Sequence, residues 1–414
     1  MSFFRSRWVR PPAHVSELEP SALPAGFRAA GVAAGIKPAG LDVGLLVNHG
    51  PIVASAARFT TSALLGAPVA VSKTAALDRL RGAVVSSGNA NVAGGERGLE
   101  TARAAQALAA ERLDLTPEEV GIAATGVIGR ELPREALLAG IAQAADALGD
   151  DADAFSEAIL TTDRAPKRAC LEVALDAGPV RLAAQAKGAG MMAPRFATLL
   201  CFVECDAALS AATLELITSV TVQRSFDRIS VDGQLSTSDT ILCLASGASG
   251  VAVDAETEDE LRLGEALDAL LRQLALDIVA DGEGSERVGR VVVRGGAGLV
   301  EPVARAVADS PLVKTALHGA DPNFGRLLQA AGQAMAGAAG DGEFAIDLEV
   351  EGQPLVAAGA ALEVSLEDWQ ALEQAVKGPE IEYVLTVPGE GWESEVFFSD
   401  LSHGYVTLNA DYTT

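Results

Sequence analysis

Aromatic side chains are scarce in this 414-residue chain, at 4%, and cysteine and histidine occur only four times each. The cysteines (Cys170, Cys201, Cys205 and Cys243) are too few and too irregularly spaced for a disulfide framework. Cys201 and Cys205 lack the second Cys/His pair that a zinc site needs, and His14, His49, His318 and His403 show no ligand spacing, so no metal is expected. Positive charge is the minority sign: 31 basic against 56 acidic residues leave a net charge of -25. A surface that acidic repels phosphate backbones, which argues against nucleic acid as a partner. Any pocket for an anion must then supply its own local positive charge. No apolar run reaches the length of a membrane span, so no membrane partner is expected. The basic start MSFFRSRWVRPP runs into prolines where a signal peptide would have its apolar stretch. A cytoplasmic protein is the expectation.

What is abundant is small and apolar. Hydrophobic residues make up 49% and charged residues 21%, with Ala, Gly, Val and Leu dominant, a composition suited to close-packed α/β layers. Prolines 11, 12, 20 and 24 keep residues 1–25 extended. Short apolar strands are expected at 41–47, 52–57, 82–85, 122–124 and 198–203, the last being TLLCFV, a run apolar on both faces. Helices are expected at 97–112, from about 133, and from about 257 to 280. There Thr257 and Glu260 have capping-box spacing, and Leu263, Leu267, Leu270, Leu271, Leu274 and Ile278 form one stripe. A strand at 291–293, a helix at 302–308, a helix after DPNFGR and strands near 344–350 and 383–387 complete the reading. With little strict strand–helix alternation, the fold class expected is layered α/β of α+β kind.

Several segments carry possible chemistry. KGAGMMAPRFATLLCF (187–202) combines a lysine in a glycine-rich turn, a proline bend and a threonine, Thr198, where a buried strand opens. A threonine hydroxyl is a poor nucleophile without an adjacent base. Cleavage before Thr198 would provide one, because a free α-amine titrates near neutrality. From this segment alone, a threonine that merely opens a strand is the better reading. ATGVIG (124–129) follows a strand, and a Thr-Gly turn suits an oxyanion hole, although by itself an ordinary strand-to-helix turn is the better reading. SSGNANVAGGERG (86–98) lacks the Lys-Ser/Thr ending of a phosphate loop, and RGGAGLVEP (294–302) has Glu301 where a dinucleotide fingerprint needs Gly or Ala. DGEG (281–284) holds Glu283 between glycines, suited to an ammonium group or to a helix-ending turn. HGADPNFGR (318–326) reads as a capping turn.

Taken in order, these segments resemble the ornithine acetyltransferase (glutamate N-acetyltransferase) family, the bifunctional enzymes of arginine biosynthesis. The resemblance rests on GFRAAGVAAGIK (26–37), FTTSALLGAPV (59–69), SSGNAN, ATGVIG, ILTTDRAPK (159–167), KGAGMMAPRFATLL, SFDRISVDGQLSTSDT (225–240), DGEG, HGADPNFGR and the ending DLSHGYVTLNADYTT. It spans the chain from Gly26 onward. It implies an αββα sandwich of N-terminal-nucleophile type with a smaller α/β domain at about 250–375. It also implies self-cleavage between Ala197 and Thr198 into chains 1–197 and 198–414. Thr198 is then the nucleophile that carries acetyl from N2-acetyl-L-ornithine to L-glutamate, and Thr125 and Gly126 form the oxyanion hole. Thr161, Lys187, Thr198, Glu283, Asn409 and Thr414 contact substrate. The family further implies no metal or bound organic cofactor, acetyl-CoA as a possible co-substrate, and two α with two β chains assembling as a heterotetramer. The chain departs from the family pattern at Arg195-Phe196, Gln234, Ser238, Ser62 and Phe324, around the processing site and the pocket wall. A self-processing aminopeptidase or amidase, which passes the acyl group to water, is the alternative.

Overall fold

The structure is a computed structural model that describes residues 2–193, 199–337 and 344–411. Two β-sheets stack face to face. The first has six strands, in the order Val15–Glu17, Lys167–Leu175, Gly178–Lys187, Leu200–Cys205, Thr240–Ala245, Ala54–Phe59. The second has four, in the order Phe27–Val32, Val43–Asn48, Gly82–Asn89, Val120–Val127.

Side-chain alternation shows why they stack. From strand Leu200–Cys205, Leu200 and Phe202 enter the space between the sheets, where they meet Leu46, Val85, Ala123 and Phe155. Cys201, Val203 and Cys205 point to the opposite face and pack under helices. A strand buried on both faces has no reason to alternate in polarity, which accounts for the unbroken apolar run. The helices on that outer face are Ala211–Arg224 and Glu258–Ala280. All six residues of the expected leucine-rich stripe lie in this core. Truncating one of them, such as Leu270→Ala, is expected to cost about 2–5 kcal/mol. The long helix is capped as the sequence suggests, with Thr257 Oγ1 accepting from Glu260 N at 3.2 Å. The Glu260 carboxylate, however, takes the N–H of Glu256. Across the stack, helices Gly95–Leu113 and Arg134–Asp146 cover the outer face of the four-stranded sheet through Ala105, Ala109, Leu137 and Ile141. The layers therefore run α, β, β, α, the sandwich expected.

A third, seven-stranded mixed sheet has the order Ile229–Ser230, Trp392–Ser399, Val288–Gly295, Glu380–Thr386, Asp347–Val350, Gln353–Ala357, Ala360–Ala361. Helices Ala297–Asp309, Pro311–His318, Phe324–Met335 and Leu366–Ala375 supply its own core. Because the helix Glu258–Ala280 belongs to the sandwich core, we place the smaller domain at about 286–400 instead of 250–375. RGGAG makes a tight turn at Gly295, and the following helix starts at Ala297, so Pro302 lies inside it. The short strand Ile229–Ser230 pairs with Phe397 and Phe398, joining the third sheet to the segment that leads into the site. Among the described residues no helix is long and apolar enough to cross a membrane.

Candidate active site

Lys187 ends the strand Gly178–Lys187 and faces Leu200 across an antiparallel pair; Leu200 pairs on its other side with Thr240. Its side chain is 2% exposed, and a buried ammonium must be solvated by protein. Nζ donates to Thr161 Oγ1 at 2.8 Å and to Thr125 Oγ1 at 3.2 Å, with Asp163 Oδ2 at 3.9 Å. Burial pushes the Lys187 pKa down, and the Asp163 charge opposes that. Asp163 is itself fully buried and accepts from Lys167 Nζ and from the N–H groups of Gly188 and Thr161. Burial alone would raise its pKa, but the ammonium groups of Lys187 and Lys167 hold it well below the usual carboxylate range. Asp163 thus ties the Lys187–Gly188 turn to the Thr161 loop.

Thr125 and Gly126 stand near the end of strand Val120–Val127, paired in parallel with Ser87 and Gly88 of the SSGNAN segment. Gly126 has φ +128°, and a Cβ there would lie 2.4 Å from the Gly88 carbonyl carbon, so no other residue fits. Thr125 is 2% exposed. Since its oxygen accepts from Lys187, its own O–H is left to donate into the cavity.

DGEG is drawn to the glycine-rich turn by a bond from Glu283 N to Ala189 O at 2.8 Å. One Glu283 carboxylate oxygen accepts from Thr162 Oγ1 and the other from Asn409 Nδ2, each at 2.8 Å. Gly190 must be glycine to admit that carboxylate: a Cβ would lie 2.6 Å from Glu283 Cδ. Asn409 arrives on the C-terminal helix His403–Asp411, with Tyr405 one turn before it. Asp232, which lies outside the sequence-predicted set, lines the cavity as well. Its oxygens accept from the N–H groups of Met191 (2.7 Å), Met192 (2.8 Å) and Gln234 (3.1 Å), and from Tyr405 Oη at 3.4 Å. Met191 sits at φ +57°, a conformation uncommon outside glycine, and its N–H bond to Asp232 helps hold it there. Burial pushes the Asp232 pKa up against these hydrogen bonds.

At the start of the central strand, Leu199 N donates to Asp239 Oδ1 at 3.0 Å. Asp239 is wholly buried, and burial pushes its pKa well above the usual range against the hydrogen bonds it accepts.

Thr125, Gly126, Thr161, Lys187, Glu283 and Asn409, all predicted from sequence, line one cavity of about 160 Å³. Thr162, Asp232, Tyr405 and the divergent positions Gln234 and Ser238 line it too. Ala197, Thr198 and Thr414, together with Arg195 and Phe196, lie outside the described residues. HGADPNFGR lies elsewhere, its His318 Nδ1 bound to Asp400 at 2.8 Å. A larger cavity of about 860 Å³ opens between residues 8–12 and the helices Ala211–Arg224 and Glu258–Ala280; it holds none of the predicted residues. The smaller cavity, where one ammonium, two carboxylates and several hydroxyls converge among the described residues, has the chemistry expected of an active site.

The ArgJ family model matches residues 28–414. The arginine biosynthesis bifunctional protein ArgJ of Nitratidesulfovibrio vulgaris is 39% identical over 402 residues, covering 95% of this chain and 99% of that protein. Its namesake from Rhodopirellula baltica is 40% identical, covering 95% and 96%. Among solved structures, ornithine acetyltransferase complexed with ornithine from Mycobacterium tuberculosis is 34% identical over 45% of this chain and 99% of that one, with a TM-score of 0.41. A match over nearly the full length leaves no ambiguity of assignment: the chain belongs to the ArgJ family.

Proposed function

We propose that the protein is a self-processing glutamate N-acetyltransferase that moves acetyl from N2-acetyl-L-ornithine to L-glutamate through an acetyl-Thr198 intermediate. The observation that carries the reading is the convergence of Thr125, Gly126, Thr161, Lys187, Glu283 and Asn409 on one cavity, from segments up to the chain's C-terminal helix. Family membership and the names borne by its relatives agree with it.

In the first step the Thr198 hydroxyl attacks the Ala197 carbonyl carbon. The Ala197–Thr198 amide bond breaks to an ester as the nitrogen takes up a proton. Water then hydrolyses the ester, leaving the Ala197 carboxylate and a free Thr198 α-amine. In the second step that amine takes the hydroxyl proton as oxygen attacks the acetyl carbonyl. The Thr125 hydroxyl and the Gly126 N–H stabilise the oxyanion, the ornithine amine leaves with the proton, and glutamate accepts the acetyl group by the reverse path. Lys187 supplies the positive charge that a net acidic protein needs to hold a carboxylate, and Glu283 receives an ammonium group. With only one acyl carrier, the two substrates should bind alternately. Double-reciprocal plots at varied glutamate are expected to be parallel, and intersecting lines would refute the acetyl-enzyme. We extend the proposal to acetyl-CoA as a second donor to Thr198, to a heterotetramer of two α and two β chains, and to the cytoplasm. The word "bifunctional" in the relatives' names supports the second donor.

A further inference from the structure

Among the described residues, the cavity wall carries two carboxylates, Glu283 and Asp232, against one ammonium, Lys187. That is the complement of a diamino acid, which has two ammonium groups and one carboxylate, and the inverse of glutamate. Hydrogen bonds order the two carboxylates along the cavity. Glu283 is bonded to Thr162, the chain neighbour of the Thr161 that Lys187 contacts, so it belongs to the reacting end. Asp232 is bonded instead to Met191, Met192 and Tyr405, and we assign it to the far end. Both Glu283 oxygens already accept a side-chain donor at 2.8 Å. Asp232 holds three short backbone bonds, while its fourth contact, from Tyr405 Oη, is long at 3.4 Å. A carboxylate has about four lone-pair sites, so among the described residues Glu283 keeps two open, while Asp232 has all four engaged and only the Oδ2 edge toward Tyr405 weakly so. An ammonium inserted there could donate to Asp232 Oδ2 and to the Tyr405 oxygen together.

Ornithine and glutamate have side chains of matching reach: the terminal nitrogen of one falls where the carboxylate oxygens of the other fall. A single subsite must therefore take a cation in one half-reaction and an anion in the next. We propose that Asp232, with Tyr405, is the side-chain subsite of this pocket, and that its charge favours the diamino-acid donor while opposing the dicarboxylic acceptor. Asp232 is then a specificity-determining residue whose removal moves the two half-reactions in opposite directions. The Tyr405 hydroxyl, which can donate or accept, serves both occupants. This inference rests on reading the cavity as the site of acetyl transfer from N-acetylornithine to glutamate.

The test measures kcat/KM for each substrate separately in wild type and Asp232→Asn, adding N-acetylnorleucine, which has a methyl group in place of the side-chain ammonium of N-acetylornithine. Wild type should prefer N-acetylornithine to N-acetylnorleucine by about tenfold or more, the scale of one charge-assisted hydrogen bond. Asp232→Asn should collapse that preference and hold or raise kcat/KM for glutamate. A purely structural role, anchoring the Met191–Met192 turn, would instead depress all substrates alike. Equal use of the two donors by wild type would overturn the inference without any variant, should Asp232→Asn fail to fold. So would a variant that keeps the wild-type preference. No transfer at all by wild type would overturn the reading of the cavity itself, and the inference with it.

Discussion

Replacing Asp163 with Asn puts the electrostatics of the site under the most stringent load. The carboxylate is fully buried and is the only acidic group within 4 Å of Lys187 among the described residues, while Lys167 also has Asp281. Asn keeps the shape and one acceptor but removes the charge, leaving the Lys187 ammonium buried without its nearest counter-ion. Removing one partner of a buried pair typically costs about 3–5 kcal/mol. The sign of the pH dependence follows from the shifts. Asp163 titrates below its ordinary range in the folded chain, so the stability it contributes is present above that range and lost as pH falls from there through the depressed folded-state value. In the variant, burial acts on Lys187 with its main opposing charge gone, so Lys187 sheds its proton at lower pH than in wild type. The stability gap between wild type and Asp163→Asn should be small in acid, largest near neutrality, and smaller again as alkali neutralises Lys187. Urea unfolding across pH, in a Thr198→Ala background that keeps one chain, measures this gap directly. Asp163→Asn with Lys187→Met should cost less than the sum of the two single changes. A neutral-pH loss below about 1 kcal/mol, the scale of an exposed pair, or strict additivity, would refute the reasoning.

Thr125→Ala should lower kcat by about 10²–10³ with KM nearly unchanged, per cleaved molecule, because an oxyanion donor acts on developing charge. A fully processed variant within about twofold of wild type, far short of that loss, would remove Thr125 from the mechanism. Gly126→Ala should impair folding and activity together, since its Cβ meets the Gly88 carbonyl carbon at 2.4 Å; normal thermal stability would contradict the geometry. Glu204 is wholly buried between the sheets, accepts from Gln185 Nε2 at 3.1 Å, and has its pKa pushed up to about 8 by burial. The folded chain therefore keeps a proton that the unfolded chain loses, so this group's stabilisation declines as pH rises from 4.5 to about 8. Glu204→Gln should flatten that decline in urea midpoints, and an unchanged slope would show that Glu204 is already ionised.

Much of the sandwich was legible because its signals are local. Thr257 with Glu260 and the leucine stripe mark the helix Glu258–Ala280 without help from the rest of the chain. The run at 198–203 marks a doubly buried strand, observed from Leu200. The hairpin Lys167–Leu175 and Gly178–Lys187 escaped, because Arg168, Glu172 and Arg181 interrupt its apolar positions and its extended shape depends on pairing with neighbours. The boundary of the smaller domain is not legible for a related reason: the packing partner of an amphipathic helix is not written in its own stripe. In the site, Thr125, Lys187 and Glu283 each lie in glycine-rich sequence that attracts notice singly, the first two at strand ends, but only the family resemblance joins them. Asp163 and Asp232 went unremarked although they lie inside matching segments. Their work is to accept main-chain N–H groups from distant turns, and no spacing rule announces that.

The central claim, that Thr198 becomes a chain terminus and then carries acetyl, is tested most directly by mass spectrometry of the purified protein before and after incubation with N-acetylornithine in the absence of glutamate. The account predicts two chains, 1–197 and 198–414, with one acetyl group appearing on the peptide that begins at Thr198 and disappearing when glutamate is added. An uncut chain, a different new terminus, or acetyl on any other peptide would contradict it.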